Sequence, residues 1–186
     1  MVKRVALAAA IAVALVGGGG AAAMATGSPE LRATGPTEVS GTTGTAVFEL
    51  GDQTYRQIRY HDRGTLVYTF ELVNDGGRSV RVAGSELPTP DPRLFDHVKV
   101  TDPDGRTEFT IEGGESVAVS LHLLMTSCET LSARAGSSVT EVMLKTEGTL
   151  GIGDDEVTVT LPEEVRAGSP REARCANATA TSRSPG

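Results

Sequence analysis

The chain has 186 residues, a formal net charge of −7, only 4% aromatic residues and no tryptophan. An acidic surface repels phosphate backbones, which argues against nucleic acid as a partner. The scarcity of aromatic faces argues against a carbohydrate module, and the length after the N-terminal segment suits one domain with flexible ends.

The N-terminus reads as an export signal over residues 1–25. Lys3 and Arg4 precede an apolar run from Val5 to Val16, too short for the ~20 residues that span a bilayer. Gly17 to Gly20 break any helix, and Ala23-Met24-Ala25 fits an A-x-A cleavage site. Cleavage after Ala25 removes two positive charges and takes the formal charge from −7 to −9. The competing reading is an uncleaved anchor from Val5 to Ala25, the one case in which a membrane would be a partner. No cysteine lies near the cleavage region to carry a lipid anchor, and twin arginines are absent.

Residues 26–44 are rich in Gly, Pro, Thr and Ser and are expected to form a flexible linker. From Thr45 onward, alternation of period two recurs and no helical period is evident. The clearest strand is Thr65–Val73, with Leu66, Tyr68, Phe70 and Leu72 on one face. Asn74-Asp75-Gly76-Gly77 ends it, and a strand over Ser79–Ala83 is expected to return beside it as a hairpin. Ser116–Met125 is equally clear, with Val117, Val119, Leu121 and Leu123 aligned. Ser137–Thr146 and Glu156–Leu161 follow the same pattern, and weaker strands are read at Ala46–Leu50, Tyr55–Tyr60, Phe95–Val100 and Glu108–Ile111. Pro88, Pro90 and Pro92 lack ladder donors, so Ser85–Leu94 should cross an edge or link two sheets. Short strands at this spacing predict an all-β fold, an antiparallel β-sandwich of seven to nine strands over residues 45–162, followed by a tail over 163–186.

Cys128 and Cys175 are the only cysteines, and in an oxidising compartment the pair reads as a disulfide pinning the tail. The alternative is two free thiols, which no C-x-x-C spacing supports. Such a bridge would contribute on the order of 4 kcal/mol, less any strain.

Asn74-Asp75-Gly76 closing an alternating strand, with Gly113-Gly114-Glu115-Ser116-Val117 opening another, resembles bacterial immunoglobulin-like domains of the CARDB-type and similar envelope modules of high-GC bacteria. The resemblance covers residues 45–161 and implies an immunoglobulin-like sandwich with a binding or spacer role. It departs from that pattern in lacking a core tryptophan and in the placing of its cysteines.

No residue is assigned to catalysis, to a cofactor or to a metal. His61, His97 and His122, with Met125 and Met143, are the candidates for a copper site, but none of the histidines has another at i+2 or i+4. Asp102-x-Asp104-Gly105 resembles the start of a calcium loop, yet Arg106 stands at position five, so a solvated β-turn is expected. Asp154-Asp155-Glu156 reads as a second acidic turn. Gly114-Glu115-Ser116-Val117-Ala118 lacks the second glycine of a nucleophile elbow. Asn177-Ala178-Thr179 matches a glycosylation sequon but is too short a motif to carry weight. The sequence therefore predicts a monomeric, exported, non-catalytic module that is released or held at the cell envelope and binds an unknown protein or envelope component. The alternatives are a secreted copper carrier of sandwich fold and a secreted protein-binding inhibitor or effector.

Overall fold

A computed structural model describes residues 29–59, 61–88, 94–126, 137–147 and 154–167. The export signal, Cys128 and Cys175 lie outside the described residues. In chain order the strands are β1 (Leu31–Ser40), β2 (Thr45–Leu50), β3 (Gln53–Ile58), β4 (Thr65–Asn74) and β5 (Val80–Glu86), followed by β6 (Phe95–Thr101), β7 (Phe109–Ile111), β8 (Ser116–Met125), β9 (Ser137–Glu147) and β10 (Asp154–Ala167). Among the described residues there is no helix.

The strands form two sheets, one ordered β1-β4-β8-β6 and the other β2-β3-β10-β9-β5-β7. The protein is thus an all-β, immunoglobulin-like sandwich. Every pairing is antiparallel except β10 with β3, which run parallel. The core lies where the alternation places it. Leu66, Tyr68, Phe70 and Leu72 of β4, with Val119, Leu121, Leu123 and Met125 of β8, face Val142 and Leu144 of β9 and Val159, Leu161 and Val165 of β10, all fully or almost fully buried. Burying each such side chain contributes about 1.5–3 kcal/mol relative to exposure.

Three expectations need correction. Residues 31–40 are strand β1, not a linker, and the strand pairs with β4 from Leu31↔Asn74 to Ser40↔Val67. An edge strand needs only one half-covered face, and Leu31, Ala33 and Val39 supply it with little apolar content. The last strand does not stop at the expected boundary of 162 but runs through Pro162 to Ala167. A register shift between Thr160 and Val165 absorbs the proline, and the odd positions keep facing inward from Val159 to Ala167. Finally, β4 and β5 are no hairpin: β4 lies between β1 and β8, and β5 lies in the other sheet.

Asn74 explains that crossing. Its side chain is wholly buried and donates to the carbonyls of Arg78 at 2.6 Å, Ile111 at 3.1 Å and Glu112 at 3.3 Å, while its Oδ1 accepts the Gly76 amide at 3.1 Å. The β4–β5 turn is thereby tied to the β7–β8 turn and directed across the sandwich. The two turns touch so closely that a Cβ on Gly113 would stand 2.6 Å from the Gly77 carbonyl carbon, so glycine is required there. The proline-rich Ser85–Leu94 segment does link the sheets, since β5 and β6 belong to different ones.

Candidate functional site

Four edges bound the two sheets, and three of them are blunted against a further strand. β1 carries Pro36, which has no donor, inside a register shift between Thr34 and Glu38. β6 has a shift between His97 and Lys99, and β7 is only 3 residues long. Bulges, prolines and very short strands are the usual guards of an exposed edge.

β2 has none of these guards. It is 6 residues long, pairs with β3 without a break from Thr45↔Ile58 to Leu50↔Gln53, and is exposed at every position. Val47, Phe48 and Leu50 are 49%, 45% and 69% exposed. The strand holds a single charge, Glu49, and no lysine or proline. On the outer face Phe48 stacks on Tyr55 of β3, with centroids 5.4 Å apart and planes within 10°. On the face turned toward the core side, Val47 stands opposite Arg56 but is left uncovered.

Beneath this hairpin lies a buried ionic network. Arg56 on β3 grips Glu163 on β10 with two bonds, Nε to Oε2 at 2.5 Å and Nη2 to Oε1 at 2.9 Å. Both side chains are about nine-tenths buried. Thr37, displaced inward by the β1 irregularity, donates to Glu163 Oε1 at 2.6 Å and accepts from Arg56 Nη2 at 2.9 Å. The network joins β1 of one sheet to β3 and β10 of the other. The Tyr68 hydroxyl of β4 is buried beside it without a hydrogen bond of full geometry. Burial first, and then the Glu163 carboxylate, push that phenol well above its ordinary value, so it stays neutral. The simplest reading of this cluster is a structural tie that holds the β2–β3 hairpin to the sandwich.

At the opposite side, Ser85 of β5 accepts the Val100 amide at 3.1 Å and meets His97 Nε2 of β6 at 3.0 Å. The hydroxyl has a second lone pair as well as its own proton, so the direction of the Ser85–His97 bond follows the tautomer of the ring. A serine hydroxyl hydrogen-bonded to a histidine ring nitrogen has the outline of half a nucleophilic dyad. Here the neighbouring carboxylate, Glu86, pairs with Lys145 at 3.4 Å and does not orient the ring, so the contact serves as a second tie between the sheets.

Burial lowers the His97 imidazole below its ordinary value, against the raising effect of Glu86. His122 is lowered as well, by burial and then by Lys99. A ring held neutral on folding leaves stability unaffected above the unfolded value of 6.5. Below that value the unfolded chain takes the proton first, so stability falls with pH until the depressed folded value is reached, then levels off. Denaturation midpoints measured from about pH 7.5 to about pH 5 should therefore decline. His97→Gln should flatten part of that decline, His122 accounting for the remainder; an identical slope in wild type and variant contradicts the assignment.

The copper candidates are not brought to one point. His97 reaches Ser85 in the other sheet, whereas His122 alternates with buried Leu121 and Leu123 and turns its Nε2 to Thr101 Oγ1 at 3.2 Å on the outer side. Met125 is buried, and its sulfur accepts the His61 amide at 3.4 Å. Met143 lies half-buried on β9. Among the described residues no group of three or more His, Cys, Asp or Glu is placed to hold a metal ion.

The Asp102 turn also differs from the solvated turn expected of it. Asp102 is buried, and its carboxylate accepts the amides of Asp104 at 3.0 Å and Arg106 at 2.8 Å, with Arg106 Nε at 2.7 Å. Burial raises this carboxyl, but the Arg106 guanidinium and the turn amides outweigh it and hold it below its ordinary value. The cation at this turn is the Arg106 side chain.

No family model matches the chain, and no curated protein matches it. Among solved structures it is similar to the cupredoxin domain of amoB from Nitrosocaldus yellowstonii, at 16% identity and a TM-score of 0.28, over 54% of this chain and 57% of that one. The chain thus spans a little over half of that structure's length, and the copper reading draws nothing from so loose a superposition.

Proposed function

We propose that the protein is an exported, non-catalytic binding module of the cell envelope or extracellular space that makes its contact through the β2 edge. The observation that carries this reading is β2 itself, a regular, unguarded and apolar edge in a molecule whose other described edges are all blunted. A sheet edge recruits an extended segment by main-chain hydrogen bonds, and flanking side chains such as Phe48 and Leu50 add apolar contact. The resemblance to bacterial immunoglobulin-like modules points the same way, at the level of fold analogy.

Export is supported by the three-part N-terminus, and an oxidised Cys128–Cys175 pair fits an extracytoplasmic setting. The described strands that precede these cysteines, β8 and β10, both end beside the β3–β4 connection, Met125 bonding to Arg63 and Gly64 and Ala167 pairing with Ile58. Cys128 follows Met125 at the end of β8, and Cys175 follows Ala167, whose partner across the ladder is Ser137, where the segment after β8 re-enters the fold. The secreted chain should have an intact mass that begins at Thr26 and lacks two hydrogens at the thiols.

The functional test uses immobilised wild-type protein and Val47→Lys, which places a charge on the exposed edge, with circular dichroism to check that the fold survives because Val47 stands opposite Arg56. An envelope component retained by wild type and lost by the variant supports the reading. Equal retention by both overturns it.

A further inference from the structure

Edge polarity on β2 can be read from one bond. The Arg59 amide donates to the Gly44 carbonyl at 2.9 Å, so the residue before β2 turns its backbone toward the β3 side. Alternation then directs the backbone groups of Ala46, Phe48 and Leu50 to β3 and leaves the N–H and C=O of Thr45, Val47 and Glu49 pointing outward. The partner for this edge must supply an extended strand with three matching outward groups. It must also carry apolar side chains on both faces, because β2 is uncovered on both.

From this we infer that in the free protein the β2 edge is covered by the β2 edge of a second copy, joined antiparallel about a two-fold axis through Val47 to make one continuous sheet across a symmetric dimer, which an envelope segment must displace in order to bind. The inference rests on the reading of β2 as the contact edge and departs from the monomer expected from the sequence. An axis normal to the sheet keeps each face on its own side, so opposed residues must share a face. Centring it on Val47 satisfies this and sets Val47 against Val47, Ala46 against Phe48 and Thr45 against Glu49. The outward groups then exchange about six hydrogen bonds across the axis. Charges are also compatible: each Glu49 faces a threonine hydroxyl and never its own copy, so the only charge on the strand meets no like charge directly opposite.

The other edges fix the stoichiometry. Had β2 been able to add to β1, β6 or β7 of a neighbour, the contact would be head-to-tail and could grow into a filament. Pro36 with its register shift, the His97–Lys99 irregularity and the 3-residue length of β7 block those pairings. Self-pairing of β2 buries the one open edge found among the described residues of each copy, so association closes at two.

Sedimentation equilibrium of the purified chain between about 10 µM and about 1 mM should show a monomer–dimer equilibrium. Val47→Pro removes only an outward donor, and Val47→Lys leaves the backbone intact in case the proline disturbs the hairpin. Each should weaken the dimer by about tenfold or more. Register is tested by mild oxidation, with wild type as control for the native cysteines. Val47→Cys should cross-link to itself, because opposed Cα atoms of a hydrogen-bonded pair stand ~5.5 Å apart. Thr45→Cys should not cross-link alone but should when mixed with Glu49→Cys. A chain that stays monomeric throughout, or variants that dimerise like wild type, overturns the dimer. If wild type is monomeric yet retains an envelope component that Val47→Lys loses, the dimer fails and the binding edge stands; if it retains none, both fail.

Discussion

Replacing Arg56 with methionine is expected to cost the fold about 3–5 kcal/mol, enough to unfold a marginal domain. The reason lies in the partner. Glu163 is about nine-tenths buried and takes both of its charge-assisted bonds from Arg56, with one further bond from Thr37. Without the guanidinium a carboxylate remains in the interior with one hydroxyl for company, and the desolvation that the pair offset becomes a net penalty. Replacing both residues, Arg56→Met with Glu163→Leu, should recover most of the loss, because an apolar pair of similar size needs no compensation. Urea denaturation of the three proteins measures this directly. Equal loss in the single and double variants would show that the side chains act by packing alone. Tyr68→Phe provides a control nearby: its hydroxyl makes no full hydrogen bond, so removing it should change stability by less than about 1 kcal/mol.

Asn74→Ala should be nearly as damaging, at about 3 kcal/mol or more. One amide group serves the carbonyls of Arg78, Ile111 and Glu112, and its oxygen holds the Gly76 amide. Alanine leaves those groups short of partners where the chain changes sheets. Because this residue joins two turns distant in sequence, the loss should be cooperative: the β4–β5 and β7–β8 turns should lose amide protection together. Asn74→Asp keeps the acceptor for Gly76 but presents an acceptor to three carbonyls, so it should be no better than alanine. Stability near wild type for either variant would mean that solvent can replace the side chain.

How far these features could be read in the sequence follows from what each depends on. β4 and β8 were legible to within a residue of their ends, because a strand buried in the middle of a sheet shows strict alternation, as in Leu66, Tyr68, Phe70 and Leu72. β1 was not, because an edge strand half-covered on one face carries few apolar residues and its glycine and proline look like linker. The extension of β10 was obscured by Pro162, although the alternation Leu161, Glu163, Val165, Ala167 continued past it. Glu163 occupies one of those inward positions, and that is the signal a buried ion pair leaves in a sequence. Its partner could not be identified in advance, since Arg56 lies 107 residues away on a strand that pairs in parallel. The exposure of β2 was equally hidden: Ala46–Leu50 reads as a strand, but its place at the rim is set by long-range pairing.

Amide hydrogen exchange across Thr45–Leu50, in dilute purified protein, tests the central claim most directly. The amides of Ala46, Phe48 and Leu50 should be protected by β3, while those of Thr45, Val47 and Glu49 exchange freely and gain protection when the edge is occupied. Uniform protection of all six in the dilute monomer would contradict the account, since it would mean that the edge is already covered within a single chain.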